Sequence, residues 1–180
     1  MLSSFKTGQN LGGVLEIESN VDLTVRTIPE EGHGMIKHAI AGYWNSFMAG
    51  GCQNHQTFGR NPTWQINLTS AQEVMFRIEV NDVKKTNGNG CAMAALYRVN
   101  HVFPVPKNKI PVQSMRNEVL ACNKGTYTNQ ASQWVSEKKK IEPGCYFLVC
   151  STYNPGLEAD FNISFFSQGQ VQIDKYEHDN

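Results

Sequence analysis

The sequence predicts an all-β protein, an antiparallel β-sandwich of about eight strands. Three observations predict it. Apolar residues recur with a period of two rather than 3.6, turn residues break the chain every 8 to 12 residues or so, and no long segment carries helical periodicity between capping residues. Short alternating strands each have one apolar face, and stacking two sheets is the arrangement that buries all of those faces at once.

The elements follow in chain order. In VDLTVRTI (21–28), Val21, Leu23, Val25 and Thr27 share one face of a first strand. TWQINL (63–68) is a second, after an irregular stretch. EVMFRIEV (73–80) is a third, with Val74, Phe76, Ile78 and Val80 on one face and Met75, Arg77 and Glu79 on the other. CAMAALYRV (91–99) has helix-favouring residues, but TNGNG (86–90) before it suits the positive φ angles of a tight hairpin turn, so it is read as a strand paired with the third. Residues 103–126 hold Pro104, Pro106 and Pro111 and read as a long connection.

QWVSEKKKI (133–141) is a strand expected to pair with the one that follows it. GCYFLVCSTY (144–153) and DFNISFFS (160–167) are aromatic and β-branched, and the turn cluster NPGLEA between them predicts a second hairpin. QVQIDKY (170–176) closes the set. The chain reads as one domain over 13–176, with frayed ends at 1–12 and 177–180.

Composition excludes several functions. Lysine plus arginine and aspartate plus glutamate both number 16, for a net charge of zero, against the basic surface of a nucleic-acid binder. No apolar run is long enough to span a membrane, and the amino terminus lacks the apolar core of a secretory signal. The five cysteines have no C-x-x-C spacing, as expected of reduced thiols in a cytoplasmic protein.

The stretch GYWNSFMAGGCQNHQTFGRNPTWQINL (42–68) gathers Cys52, Asn54 and His55. These are the residue types of a thiol nucleophile, an orienting amide and a base, but they stand too close in one turn to align, and triads collect their members from distant parts of a chain. The structural reading is that Gly50 and Gly51 shape a tight turn, Cys52 fills a small apolar gap, and Trp44 and Trp64 seal the core. Asn61, before Pro62, is suited to bond nearby backbone. Cys52 with His55, or His33 with His38, offers a pair of zinc-ligand types without companions, and the acidic residues are too dispersed for a calcium loop, so no metal or other cofactor is expected. Lys138, Lys139 and Lys140 suit a charged edge strand, with docking to an anionic surface as the second reading.

Gly42, Trp44, Ala49, Gly50, Gly51, Cys52, Asn54, Thr57, Phe58, Asn61, Pro62 and Trp64 together resemble the signature of the calpain-type β-sandwich, the C2-like domain III of calpain-family cysteine proteases. IEPGCYFLVCSTYNPGLEADFNISFFS (141–167) is similar to that module's closing segment. Met48 departs from the pattern, standing where a small hydroxylated residue is usual, and the acidic loop of calcium-activated members has no counterpart. No penta-EF-hand segment follows, so the resemblance points to the terminal module of an atypical calpain of the calpain-7 and fungal PalB type.

The resemblance implies a regulatory and interaction module of an intracellular cysteine endopeptidase, without catalysis of its own. Its implied partners are the other domains of the parent protease, then protein partners or a phospholipid surface. The alternative is a free-standing C2-like adaptor that binds lipid or calcium.

Overall fold

The computed structural model describes residues 16–24, 29–85, 91–99, 117–128 and 133–176, except the side chains of 82–85 and 133–134. The chain divides into two units, Met1–Glu30 and Glu31–Asn180. In the first, Val21 and Leu23 are exposed and residues 21–24 are not in a strand, which corrects the expectation for 21–28 over its described part; residues 25–28 lie outside it. Alternation alone cannot make a strand where no neighbour pairs with the backbone.

The second unit holds ten strands among the described residues: β1 (Ile36–Trp44), β2 (Thr63–Leu68), β3 (Gln72–Lys85), β4 (Ala92–Arg98), β5 (Glu118–Ala121), β6 (Gln133–Val135), β7 (Lys139–Ile141), β8 (Gly144–Thr152), β9 (Glu158–Ser167) and β10 (Gln172–Tyr176). One sheet runs β1-β9-β3-β6, with β7 also on β3, and the other runs β10-β2-β8-β4-β5. All of the pairings are antiparallel. The result is a β-sandwich.

Register decides which side chains meet between the sheets. Phe76 stands opposite Phe165, Ile78 opposite Ile163 and Val80 opposite Phe161, so one face of β3 and β9 is continuously apolar. Across the sandwich, Trp64, Leu148 and Leu96 form a row on β2, β8 and β4. The two rows meet at Phe161, whose ring packs 4.2 Å from Trp44 and 6.0 Å from Trp64, centroid to centroid. Gly42 lies opposite Phe161 on β1, and a Cβ there would collide with the Phe161 ring and stand 2.8 Å from Trp64 Cη2. The indole N–H of Trp44 donates to the carbonyl of Cys150 at 2.9 Å, which ties the edge of one sheet to the centre of the other.

Several expected pairings differ. β3 and β4 belong to different sheets, as do β8 and β9, so neither pair is a hairpin. The TNGNG turn itself lies outside the described residues. Turn residues show that the chain reverses, but both flanking strands carry apolar faces that the sandwich buries from opposite sides, so the chain crosses between sheets. Residues 133–141 form two short strands on β3 rather than one strand on β8. Ser136 separates them: its N–H donates to the Phe76 carbonyl at 2.8 Å and its Oγ accepts from the Phe76 N–H at 2.9 Å. Ser136 also bridges to Cys122 beside β5, closing one side of the sandwich.

β1 and β5 are additions to the expected set. In β1 only Ile40 and Trp44 are buried, too few for a visible alternation. β5 lies inside the stretch read as a connection. Residues 1–12 and 177–180, read as frayed ends, lie outside the described residues.

Two measurements check this packing. Gly42→Ala is expected to lower the unfolding free energy by about 1–3 kcal/mol through overpacking against Phe161, read from urea denaturation; an unchanged midpoint would show that the ring can yield. His38 is half-buried, faces Phe165 edge-on and shares a 3.1 Å hydrogen bond with Ser167 Oγ, and burial holds its pKa below the ordinary 6.5. The unfolded chain therefore binds the proton first, and the stability His38 contributes is lost as pH falls below about 6.5. In His38→Gln that part of the decline disappears from the pH dependence of the urea midpoint.

Candidate functional site

The loop between β1 and β2 carries the residues singled out in the sequence. It opens with an Asn45 turn, in which Oδ1 accepts from the N–H groups of Phe47 and Met48. Gly51 has φ +78°, a left-handed conformation that suits glycine. Gly50 has no room for a Cβ, which would collide with the Thr57 carbonyl. A single turn of 3-10 helix at Phe58–Arg60 then leads to Asn61.

Asn61 is fully buried and its amide organises the loop. Its Oδ1 accepts from Gly50 N–H at 3.1 Å, and its Nδ2 donates to the carbonyls of Gly51 and Phe58, both at 2.8 Å. Thr57 Oγ1 adds a bond to the Gly50 carbonyl at 2.7 Å. The loop is also fastened to the crossover from β8 to β9: Cys52 N–H donates to Tyr153 O at 3.1 Å, and Gly156 N–H donates to Ala49 O at 3.0 Å.

This corner answers the catalytic reading of Cys52, Asn54 and His55. Cys52 is buried, and Asn54 is exposed. The His55 backbone N–H bonds the Cys52 carbonyl at 3.0 Å. Among the described residues no histidine ring is hydrogen-bonded to the Cys52 thiol. His33 is exposed in a turn, His38 bonds Ser167, and His101 and His178 lie outside the described residues. Ala49, Pro62 and Trp64 are buried structural members, as are Trp44 and Phe58. Among the described residues, no three His, Cys, Asp or Glu side chains gather closely enough to hold a metal.

Beside the corner lies an open pocket of about 190 Å³, which the sequence did not reveal. Among the described residues, Cys52, Gln53 and Asn54 line it from the loop, Met93 and Tyr97 from β4, and Glu118 from β5, together with Gly125, Tyr127 and Tyr153. Its members are dispersed over the chain and share no spacing. Tyr97, packed edge-on against Phe58, receives a 3.0 Å hydrogen bond from Gln53 Nε2. It also shares a hydrogen bond with Glu118. Burial pushes the Glu118 carboxyl above the ordinary carboxylate range, opposed by that bond, and burial and Glu118 together raise Tyr97. Tyr127 and Ser151 hydroxyls lie 2.6 Å apart, and burial raises the Tyr127 phenol as well. Asn123, Lys124 and Gly125 have φ of 47°, 53° and 77°, a left-handed turn that brings the Gly125 backbone against Glu118.

The basic run stands elsewhere. Lys138 pairs with Glu73 at 3.0 Å, and Lys139 Nζ donates to the Val119 carbonyl at 2.7 Å. Lys140 is exposed on β7, which lies on β3 at the side of the sheet away from β9.

The family described as calpain large subunit, domain III, matches residues 40–166, from mid-β1 to the end of β9. The chain belongs to this family. Its relatives include Calpain-9 of Homo sapiens, 28% identical over 127 residues that make up 67% of this chain and 18% of that protein. The calpain-like protease palB/RIM13 of Aspergillus oryzae is 27% identical over 139 residues, 77% of this chain and 14% of the relative. The calpain-type cysteine protease DEK1 of Zea mays is 23% identical over 151 residues, 77% of this chain and 7% of the relative. The chain thus spans less than a fifth of the length of these relatives. Calpain-9 and palB/RIM13 match about equally, so the relatives do not single out the atypical subgroup. As a domain III, this chain is a non-catalytic domain of the calpain type. Among the described residues no helix is long and apolar enough to cross a membrane.

The corner between β1 and β2 is expected to depend on Asn61 rather than on Cys52. Asn61→Ala should lower stability by roughly 2–4 kcal/mol and speed amide exchange at Gly50, because one donor and two acceptors lose their partner. Cys52→Ala should cost about 1 kcal/mol. A larger loss from Cys52→Ala in the same denaturation series would reverse that order.

Proposed function

We propose that this domain is the regulatory and interaction module of a calpain-like cysteine endopeptidase acting in the cytoplasm. It packs on the protease core and biases that core's conformation, while its free surface docks partners. The observation that supports this most directly is the family match over 40–166, whose most distinctive residues fold into a buried corner rather than a reactive site. Calpain-9, palB/RIM13 and DEK1 are all named as calpains or calpain-type proteases, which favours a protease parent over the free-standing adaptor.

Docking to an anionic surface, where it occurs, is calcium-independent in this reading and uses Lys138, Lys139 and Lys140. Each basic residue near such a surface contributes on the order of 1 kcal/mol. With Lys138 held by Glu73 and Lys139 by Val119, the run serves mainly to protect the sheet edge, and its docking is weak.

The parent reading is tested with the full-length protein. The isolated domain should not cleave casein, and Cys52→Ala in the full-length protein should leave cleavage within about twofold, since that thiol only packs. Loss of cleavage in correctly folded Cys52→Ala would overturn the assignment. In co-sedimentation with phosphatidylserine vesicles, binding should be equal in calcium and in chelator and should fall when Lys138, Lys139 and Lys140 become alanine. Calcium-dependent binding that survives those changes contradicts it.

A further inference from the structure

We propose that the pocket walled by Tyr97, Tyr127, Tyr153 and Glu118 binds a lysine or arginine side chain presented by a polypeptide. The inference rests on the pocket alone and not on the protease reading. Tyr127 and Tyr153 meet at 65° with centroids 5.6 Å apart, so their rings form two walls at an angle. Rings set this way attract a cation through their electron-rich faces, while Met93 and Cys52 offer apolar surface to the methylene stem.

The hydroxyls of Tyr97 and Tyr127 are already committed within the protein. Tyr127 is held by Ser151, and Tyr97 takes a hydrogen bond from Gln53 and gives one to Glu118. The Tyr97 and Tyr127 rings therefore stay oriented, and Glu118 is the one formal charge among the described lining residues. Among the described residues no lysine or arginine lines the pocket and Glu118 has no ion-pair partner. Its carboxylate keeps acceptor sites beyond the one used by Tyr97.

A carboxylate at the exposed mouth of a pocket, beside aromatic rings and without a cation among the described residues, is complemented by a positive group. A divalent metal needs several oxygen ligands, and the pocket has one carboxylate. A volume of about 190 Å³ accommodates an ammonium or guanidinium with its stem. The exposed amide side chains of Gln53 and Asn54 at the rim can bond the main chain on either side of that residue, which favours a polypeptide over a free small cation.

The test is an amide-shift titration of this domain with four probes: acetyl-Gly-Arg-Gly-amide, its lysine and norleucine counterparts, and choline chloride. The arginine or lysine peptide should shift Gln53, Gly125, Tyr127 and Tyr153 saturably, with the norleucine peptide about tenfold weaker or more. Glu118→Gln should weaken the basic peptide about tenfold. Tyr153→Ala, at an exposed position, should weaken it about fivefold. Spectra of both variants should match wild type away from the pocket. The proposal fails if neither basic peptide shifts these amides, if the norleucine peptide binds equally well, if choline binds more tightly than both basic peptides, or if Glu118→Gln binds as wild type does.

Discussion

Phe161 is the point on which the sandwich turns. Its ring fills the space left by Gly42 on the neighbouring strand and meets Trp44 from its own sheet and Trp64 from the other. Burying a side chain of this size stabilises the fold by about 1.5–3 kcal/mol, and the aromatic contacts add to it. Because Trp44 also donates its indole N–H to Cys150, the end of β1 is fixed in two directions at once. The loop that follows starts from a defined place.

From that start the loop needs its own internal partners. A connection of this length must satisfy its backbone groups without a sheet ladder, and the Asn61 side chain meets part of that need for Gly50, Gly51 and Phe58. The two glycines are required for different reasons, Gly51 by its positive φ and Gly50 by the closeness of Thr57. Phe58, brought down by the same turn, covers Tyr97 on β4. That is why β4 is buried on both faces, and why its run AMAALY lacks alternation. The rim of this covering leaves the pocket in which Glu118 stands.

Strand-level features were legible where alternation was strong. The inward face of β3, the strand character of β8 and β9, the sealing roles of Trp44 and Trp64, and the backbone-bonding role of Asn61 follow from residue type and spacing. Partner choice was not legible. The clusters around residues 86–90 and 154–159 have turn chemistry, yet β3 with β4 and β8 with β9 separate into opposite sheets. The alternating segment at 21–24 is exposed and unpaired as a strand, whereas β1, with little alternation, pairs along its whole length with β9.

By itself, the sequence determined the all-β class, the family signature and the reading of Cys52 as a packing residue, because these rest on local periodicity and on side chains that serve their neighbours in the chain. Only the tertiary structure decided the order of strands and the existence of the pocket. Sheet pairing depends on which apolar faces can be buried together, and the pocket joins Gln53, Tyr97, Glu118, Tyr127 and Tyr153 from separate segments. No local pattern records that meeting, since each of those residues satisfies its own strand or turn without reference to the others.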